Sequence, residues 1–451
     1  MKDWLSNVTK FTYDADSDLT ATTFPSGTSD EDKYVYNEAD GMSEVKMTKG
    51  SETLASLVYP RNKDEDVTKA TSVGLPGEEK PSYTYDENSR ITKGAGVSYK
   101  YDEANNPTTI GNYTLSYNAA DEPEKETEKT TTKATYTYNE VGERTKTTPA
   151  TGAATTYEYN QAGDLIGVSR PKEGSTPAIE DTYTYNGDGL RIAKTASSVT
   201  TYFAWDVAES LPLVLGDGTN SYVYGPESEP IEQINDTTGT VLYVHHDQQG
   251  STRLLTGSTG AKEASFTYDA YGNQTGHTGT ATTPLGYDGQ YTNADTGLIY
   301  LRAREYDPAT AQFLSVDPKA EETNAVYGYA KDDPLTNSDP TGEGPEESRV
   351  AHEFLSLESE GLKQLKRKHA SSETVEFFQE IIKVHFFFEV AFAEGNGTLQ
   401  RSGEQELQRI RKQLVGKFAP LASREISLPA LIKALWQIYH ISVAVRLGAR
   451  R

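Results

Sequence analysis

Four Asp-Pro steps crowd one short stretch of the sequence: Asp307-Pro308, Asp317-Pro318, Asp333-Pro334 and Asp339-Pro340. Two carboxylates brought close together cannot both ionise cheaply, so one of them holds its proton. A pair sharing one proton can activate water or polarise a peptide carbonyl. Asp307 and Asp317 stand ten residues apart, a span that a hairpin would fold so that they face each other across two strands. The same spacing also fits ordinary turn chemistry, because Asp followed by Pro opens a type I turn. At this level both readings stay open.

Little else in the chain carries a marked chemistry. Cysteine is absent, so there is no disulfide framework and no thiolate metal site. His385 and Glu389 are spaced to share one helix face. With no second pair at matching spacing, a surface pair is the plainer reading than a metal site. His352 and His440 stand alone. Arg401, Arg409, Arg411 and Lys412 suit a solvated helix face. There is no P-loop, G-x-S-x-G or H-E-x-x-H signature. No cofactor and no metal are expected.

The elements that would position the aspartates follow from tyrosine, of which there are 29. Tyr-x-Tyr recurs at Tyr34/Tyr36, Tyr83/Tyr85, Tyr99/Tyr101, Tyr136/Tyr138, Tyr157/Tyr159, Tyr183/Tyr185 and Tyr222/Tyr224. Period two sets both rings on one face of a strand. Asp or Asn usually follows, then Gly or Asn, in YTYDENSRIT, YTYNEVGERT, YEYNQAGDLI and YTYNGDGLRI. These residues close Asx-turns or accept positive φ, and the Thr- or Ile-bearing run beyond suits a second strand. The unit is a β-hairpin. One hairpin has too small an apolar face to fold alone, so the hairpins are expected to stack in a long sheet. An ordinary β-sandwich is the alternative.

Several of these segments carry a family resemblance. YTYDENSRITK, YTYNGDGLRIAK and HHDQQGSTRLLTGSTG (245–260) resemble YD repeats of the RHS (rearrangement hotspot) family. FTYDAYGNQ (266–274) and GYDGQYTNADTGLIYLRAREYDPATAQFLSVDP (286–318) resemble its repeat-associated core. Bacterial polymorphic toxins and the C components of insecticidal toxin complexes are proteins of this kind, and animal teneurins share the fold. The resemblance implies a spiralling antiparallel β-strip forming a hollow shell, with a variable C-terminal segment held inside as cargo. It further implies an aspartyl-protease-like pair, Asp307 and Asp317, supported by Arg304 or Arg302. That centre would cut the chain once after Asp339-Pro340-Thr341-Gly342, between Gly342 and Glu343. Two departures stand out. Ala311 occupies a position where the family usually has Gly, so a turn needing positive φ would be strained. Glu343 replaces an apolar residue beside the acidic centre.

The expected organisation is a YD-repeat region over 1–283, a repeat-associated core over 284–342 and a separate, mostly α-helical domain over 343–451. In the last region 350–368, 372–395, 403–418 and 427–448 show helical spacing and end signals. Charge divides the same way. The chain carries −24, while residues 343–451 hold 16 Lys and Arg against 14 Asp and Glu. The acidic body would repel nucleic acid and anionic lipid. No apolar leader stands in MKDWLSNVTK and no run of 18 apolar residues exists. The function expected is a toxin shell that releases a C-terminal effector by self-cleavage. A secreted or surface location, an immunity protein and a secretion or toxin-complex partner are implied by the resemblance. The alternatives are a surface interaction protein with an inactive core, and a membrane-active helical tail.

Overall fold

The computed structural model describes residues 1–347, apart from 15–17, 26, 40, 79, 209–210, 227, 321–324 and 345. The chain divides after Ser348, and the second unit, Arg349–Arg451, lies outside the described residues. The four expected tail helices and the His385/Glu389 pair fall there.

The described residues are almost entirely strand and turn. A six-stranded sheet runs from Lys10–Tyr13 to Thr71–Val73, a thirteen-stranded sheet from Thr84–Tyr85 to Val199–Tyr202, and an eight-stranded sheet from Ala204–Asp206 to Gln274–Gly279. In each, spatial order is sequence order, and neighbouring strands are antiparallel. A four-stranded sheet, Tyr291–Thr292 to Gln312–Phe313, and a pair, Asn337–Ser338 with Glu346–Glu347, follow. Long meanders of this kind are what a repeated hairpin unit builds.

One turn explains the regularity. After the second tyrosine of a pair, Asp or Asn folds its side chain back onto the turn. Asp102 Oδ1 accepts the N–H groups of Ala104 and Asn106, both at 2.9 Å. Asn160 does the same for Ala162 at 2.8 Å and Asp164 at 3.0 Å. The third residue after that Asx has positive φ: Ser89, Asn105, Asp121, Gly142, Gly163, Gly189. Glycine takes this conformation most easily, and Asn and Asp tolerate it. The hairpin is thus encoded by three residue types at fixed offsets.

The two tyrosines have different tasks. The first packs inward: Tyr99, Tyr136, Tyr183 and Tyr222 are buried, and Tyr34, Tyr83 and Tyr157 partly so. The second donates its hydroxyl to a main-chain carbonyl of the preceding hairpin. Tyr85 reaches Val67 at 2.8 Å, Tyr101 reaches Ile91 at 2.8 Å, Tyr117 reaches Pro107 at 2.9 Å and Tyr185 reaches Leu165 at 2.8 Å. Units that lack the Tyr-x-Tyr signature follow the same plan. Leu115, Val244 and Phe266 are buried at the first position, which asks only for an apolar side chain.

The six- and eight-stranded sheets meet through a polar staple. His245 Nδ1 lies 2.8 and 2.9 Å from the two oxygens of Asp32. Its Nε2 is 2.9 Å from Thr256 Oγ1, which donates to Asp30 at 2.7 Å. The largest apolar cluster joins Ile91 and Tyr99 of the thirteen-stranded sheet to Tyr271, Tyr287, Tyr306, Phe313 and Tyr329. The core therefore sits where the repeat sheets close on the segment 284–342.

Candidate functional site

Arg304 opens the strand Arg304–Asp307 and is buried. Its Nη2 lies 3.3 Å from Asp317 Oδ2 and 3.2 Å from Asp339 Oδ2. Its Nε donates to the main-chain carbonyl of Gly342. The guanidinium rests 3.5 Å from the ring centroid of Phe313. Nη1 has no partner among the described residues. Burial pushes the guanidinium below its usual range, against the pull of Asp317 and Asp339.

Asp339 organises the turn that follows it. It accepts the N–H of Gly342 at 2.8 Å and of Gly344 at 3.1 Å. Burial raises its carboxyl above the usual carboxylate value, with Arg304 opposing the shift. Gly342 has φ +69°, and a Cβ there would stand 2.3 Å from the Leu301 carbonyl oxygen and 2.9 Å from the Arg304 nitrogen. Only glycine fits so close to the strand. Thr341 is tied in through its carbonyl to Ala303 N at 3.1 Å. Arg302 grips the same turn from the other side, donating to the Pro340 carbonyl at 2.7 Å.

The residues singled out in the sequence thus divide. Arg304, Asp317, Asp339 and Gly342 converge, with Glu343 next in the chain. Asp307 engages a different cation: its Oδ2 lies 2.7 Å from Arg144 Nη1 and 3.0 Å from Thr310 Oγ1. Between the two arginines, Arg304 takes the carboxylates and the Gly342 carbonyl, and Arg302 takes Pro340. Asp339 entered the sequence reading only as part of the cleavage motif, yet it shares Arg304 with Asp317. Arg144 carried no local signal, because its partner lies 163 residues away.

Both sequence departures have a local account. Ala311 is buried and adopts φ +57°; an alanine in this region costs about 1–2 kcal/mol. Glu343 meets Lys319 at 2.7 Å, with both side chains about half exposed, so the pair compensates the charge without adding much stability.

Residues 77–335 match the family described as teneurin YD-shell. The chain belongs to the teneurin YD-shell family. It is 30% identical over 174 residues to the tRNA nuclease WapA of Bacillus subtilis (strain 168), 36% of this chain and 7% of that protein. It is 28% identical over 197 residues to the double-stranded DNA deaminase toxin A of Burkholderia cenocepacia, 36% of this chain and 14% of that one. The chain therefore spans a small part of the relatives it matches. Its YD shell superposes on the Photorhabdus luminescens Tc holotoxin pore with a TM-score of 0.56 at 17% identity, over 75% of this chain and 19% of that one. The crystal structure of TcdB2-TccC3 gives 0.52 at 18% identity, over 74% and 20%. At such identity the likeness is one of fold. Among the described residues no helix is long and apolar enough to cross a membrane.

Proposed function

We propose that this chain is the C-terminal part of a secreted RHS-repeat toxin, whose β-shell encloses residues 343–451 as cargo and frees them by self-cleavage between Gly342 and Glu343. One observation carries this reading. Arg304 is hydrogen-bonded to the carbonyl of the bond to be cut while it is held between two buried carboxylates.

The chemistry assigns each group a task. Asp317 takes a proton from water, and the water oxygen attacks the Gly342 carbonyl carbon. Arg304 Nε stabilises the charge growing on the Gly342 oxygen, as a preorganised donor should. Nη1 is the donor left for the attacking water. The proton that Asp317 took from the water then passes to the Glu343 nitrogen as the C–N bond breaks, while Asp339 holds Arg304 and the turn in place. The products are a Gly342 carboxyl group and a free Glu343 amine. Asp307 acts from outside this pair, through its hold on the strand.

The relatives named as toxins support the role as a shell for a C-terminal effector. A toxin-complex or secretion partner and an immunity protein against the tail belong to the same reading. The two relatives differ in the activity their names give, a tRNA nuclease and a double-stranded DNA deaminase.

The test is intact mass of the purified full chain at neutral pH over several days, beside Asp317→Asn, Asp339→Asn and Asp307→Asn. The parent is expected to yield a fragment with the mass of residues 343–451. Asp317→Asn and Asp339→Asn are expected to remain whole, and Asp307→Asn to cut slowly. A parent that stays whole, or an Asp317→Asn chain that cuts at the parental rate, overturns the assignment.

A further inference from the structure

The strand Arg304–Asp307 has two faces, because successive side chains of a strand alternate. Arg304 points to the cleavage turn. Glu305 and Asp307 point the other way, into the thirteen-stranded sheet, and each meets a buried arginine there. Arg191 pairs with Glu305. Its guanidinium lies between the rings of Tyr183 and Tyr300, 4.1 and 4.2 Å from their centroids. Arg144 pairs with Asp307 at 2.7 Å, stacks 4.7 Å from the Tyr136 centroid and donates to the Tyr138 hydroxyl at 3.0 Å.

The two arginines occupy the same place in their hairpins. Arg144 pairs across the turn with Tyr138, and Arg191 with Tyr185. In neighbouring hairpins of this sheet that place is taken by Ile91, Pro107, Pro123 and Leu165. The repeat itself does not require arginine at these two positions, since its neighbouring hairpins place apolar side chains there. A buried guanidinium is costly without a carboxylate partner, and the partner in both cases comes from the one strand that carries Arg304.

We propose that Arg144 and Arg191 are positioning residues for the self-cleavage at Gly342. This deepens the reading above and rests on it. Two clamps on one face fix both the register and the tilt of the strand, since a slip of one residue would turn every side chain to the opposite face. Arg304 is thereby held against the Gly342 carbonyl from behind. Arg144 reinforces the hold through its main chain, donating to the Leu314 carbonyl at 2.8 Å. A displacement of about 1 Å at a reacting centre can slow a reaction by about 100-fold.

The test compares the full chain with Arg144→Lys and Arg191→Lys. Lysine keeps the charge but lacks the planar fork and the stacking surface. Each is expected to slow fragment release at neutral pH by at least about tenfold. Ile234→Ala, in a separate apolar cluster of the eight-stranded sheet, controls for lost stability and is expected to cut at the parental rate. Amide hydrogen exchange over 304–307, measured in the Asp317→Asn background, gives a second readout that needs no cleavage. Both lysine variants are expected to exchange faster there, and Ile234→Ala is not. Should Arg191→Lys fail to fold, Glu305→Gln replaces it, with the same expected slowing. If the lysine variants cut at the parental rate, the clamp is overturned and the self-cleavage reading stands. If the parent stays whole, the self-cleavage reading and the positioning role fall together. Unchanged exchange over 304–307 would then show that the arginines do not hold the strand either.

Discussion

The repeat sheets and the segment 284–342 are built on opposite principles. Within each repeat hairpin, polar groups are satisfied close by, the staple from His245 and Thr256 to Asp32 and Asp30 being a long-range exception between sheets. Tyr101 finds its carbonyl 10 residues back, and each Asx turn closes on itself within four residues. In 284–342 the partners are remote. Glu305 and Arg191 are 114 residues apart, and Tyr327 bonds the Gly142 carbonyl across 185. Strained backbone concentrates there as well: Ala311, Ala330, Lys331 and Asp332 all have positive φ. Local preference and global fold agree in the strip and conflict in the core, which is the pattern of a functional site.

That contrast has a gradient of measurable consequences. The largest effect is expected in the core. Arg191→Met leaves Glu305 buried and unpaired, and should destabilise the described unit by about 3–5 kcal/mol in urea unfolding. A loss below about 1 kcal/mol would mean that the pair is not desolvated as described.

The next effect depends on pH. Burial raises the Asp333 carboxyl from 3.8 to about 7. The folded state therefore binds this proton more tightly than the unfolded state does. The penalty for holding the charged form is present in full above about pH 7 and fades as pH falls toward 4. Relative to Asp333→Asn, the parent should gain a few kcal/mol between pH 8 and pH 5. Parallel stability curves for the two chains would exclude the effect.

The strip should answer more mildly. Tyr117→Phe removes one hydroxyl from the carbonyl of Pro107 and should cost about 1 kcal/mol. A cost as large as that of Arg191→Met would erase the distinction between the two regions. The smallest change is expected at Ala311→Gly. Relief of positive φ is offset by the lost methyl contact and the freer unfolded chain, leaving a net change within about 1 kcal/mol.

Much of this architecture was legible in the residue pattern. Tyr-x-Tyr followed by Asx and Gly marks the hairpins, because each of those residues has a task within its own turn. The unit at Leu115/Tyr117 escaped the pattern, and the one at Val244/His246 was marked only by the family resemblance of 245–260, since the first position asks only for apolarity. The stretch holding Arg304, Asp317, Asp339 and Gly342 was singled out through the family resemblance, since the Asp-Pro spacing by itself left turn and reaction centre both open. The separate engagement of Asp307 was not legible. It is decided by Arg144, and no local spacing links residues so distant in sequence. The helical reading of 343–451 lies outside the described residues.

The order of strands carries a consequence for time. Every strand of the three large sheets pairs with the one made just before it. Such contacts close short loops and form early. The contacts of Arg304 and its neighbours to Arg144 and Arg191 need the whole sheet in place, and they close very long loops. A nascent chain would thus lay down its strands first and complete the Arg304 centre last. On the self-cleavage proposed above, the order of assembly alone would delay the cut until the sheets have formed.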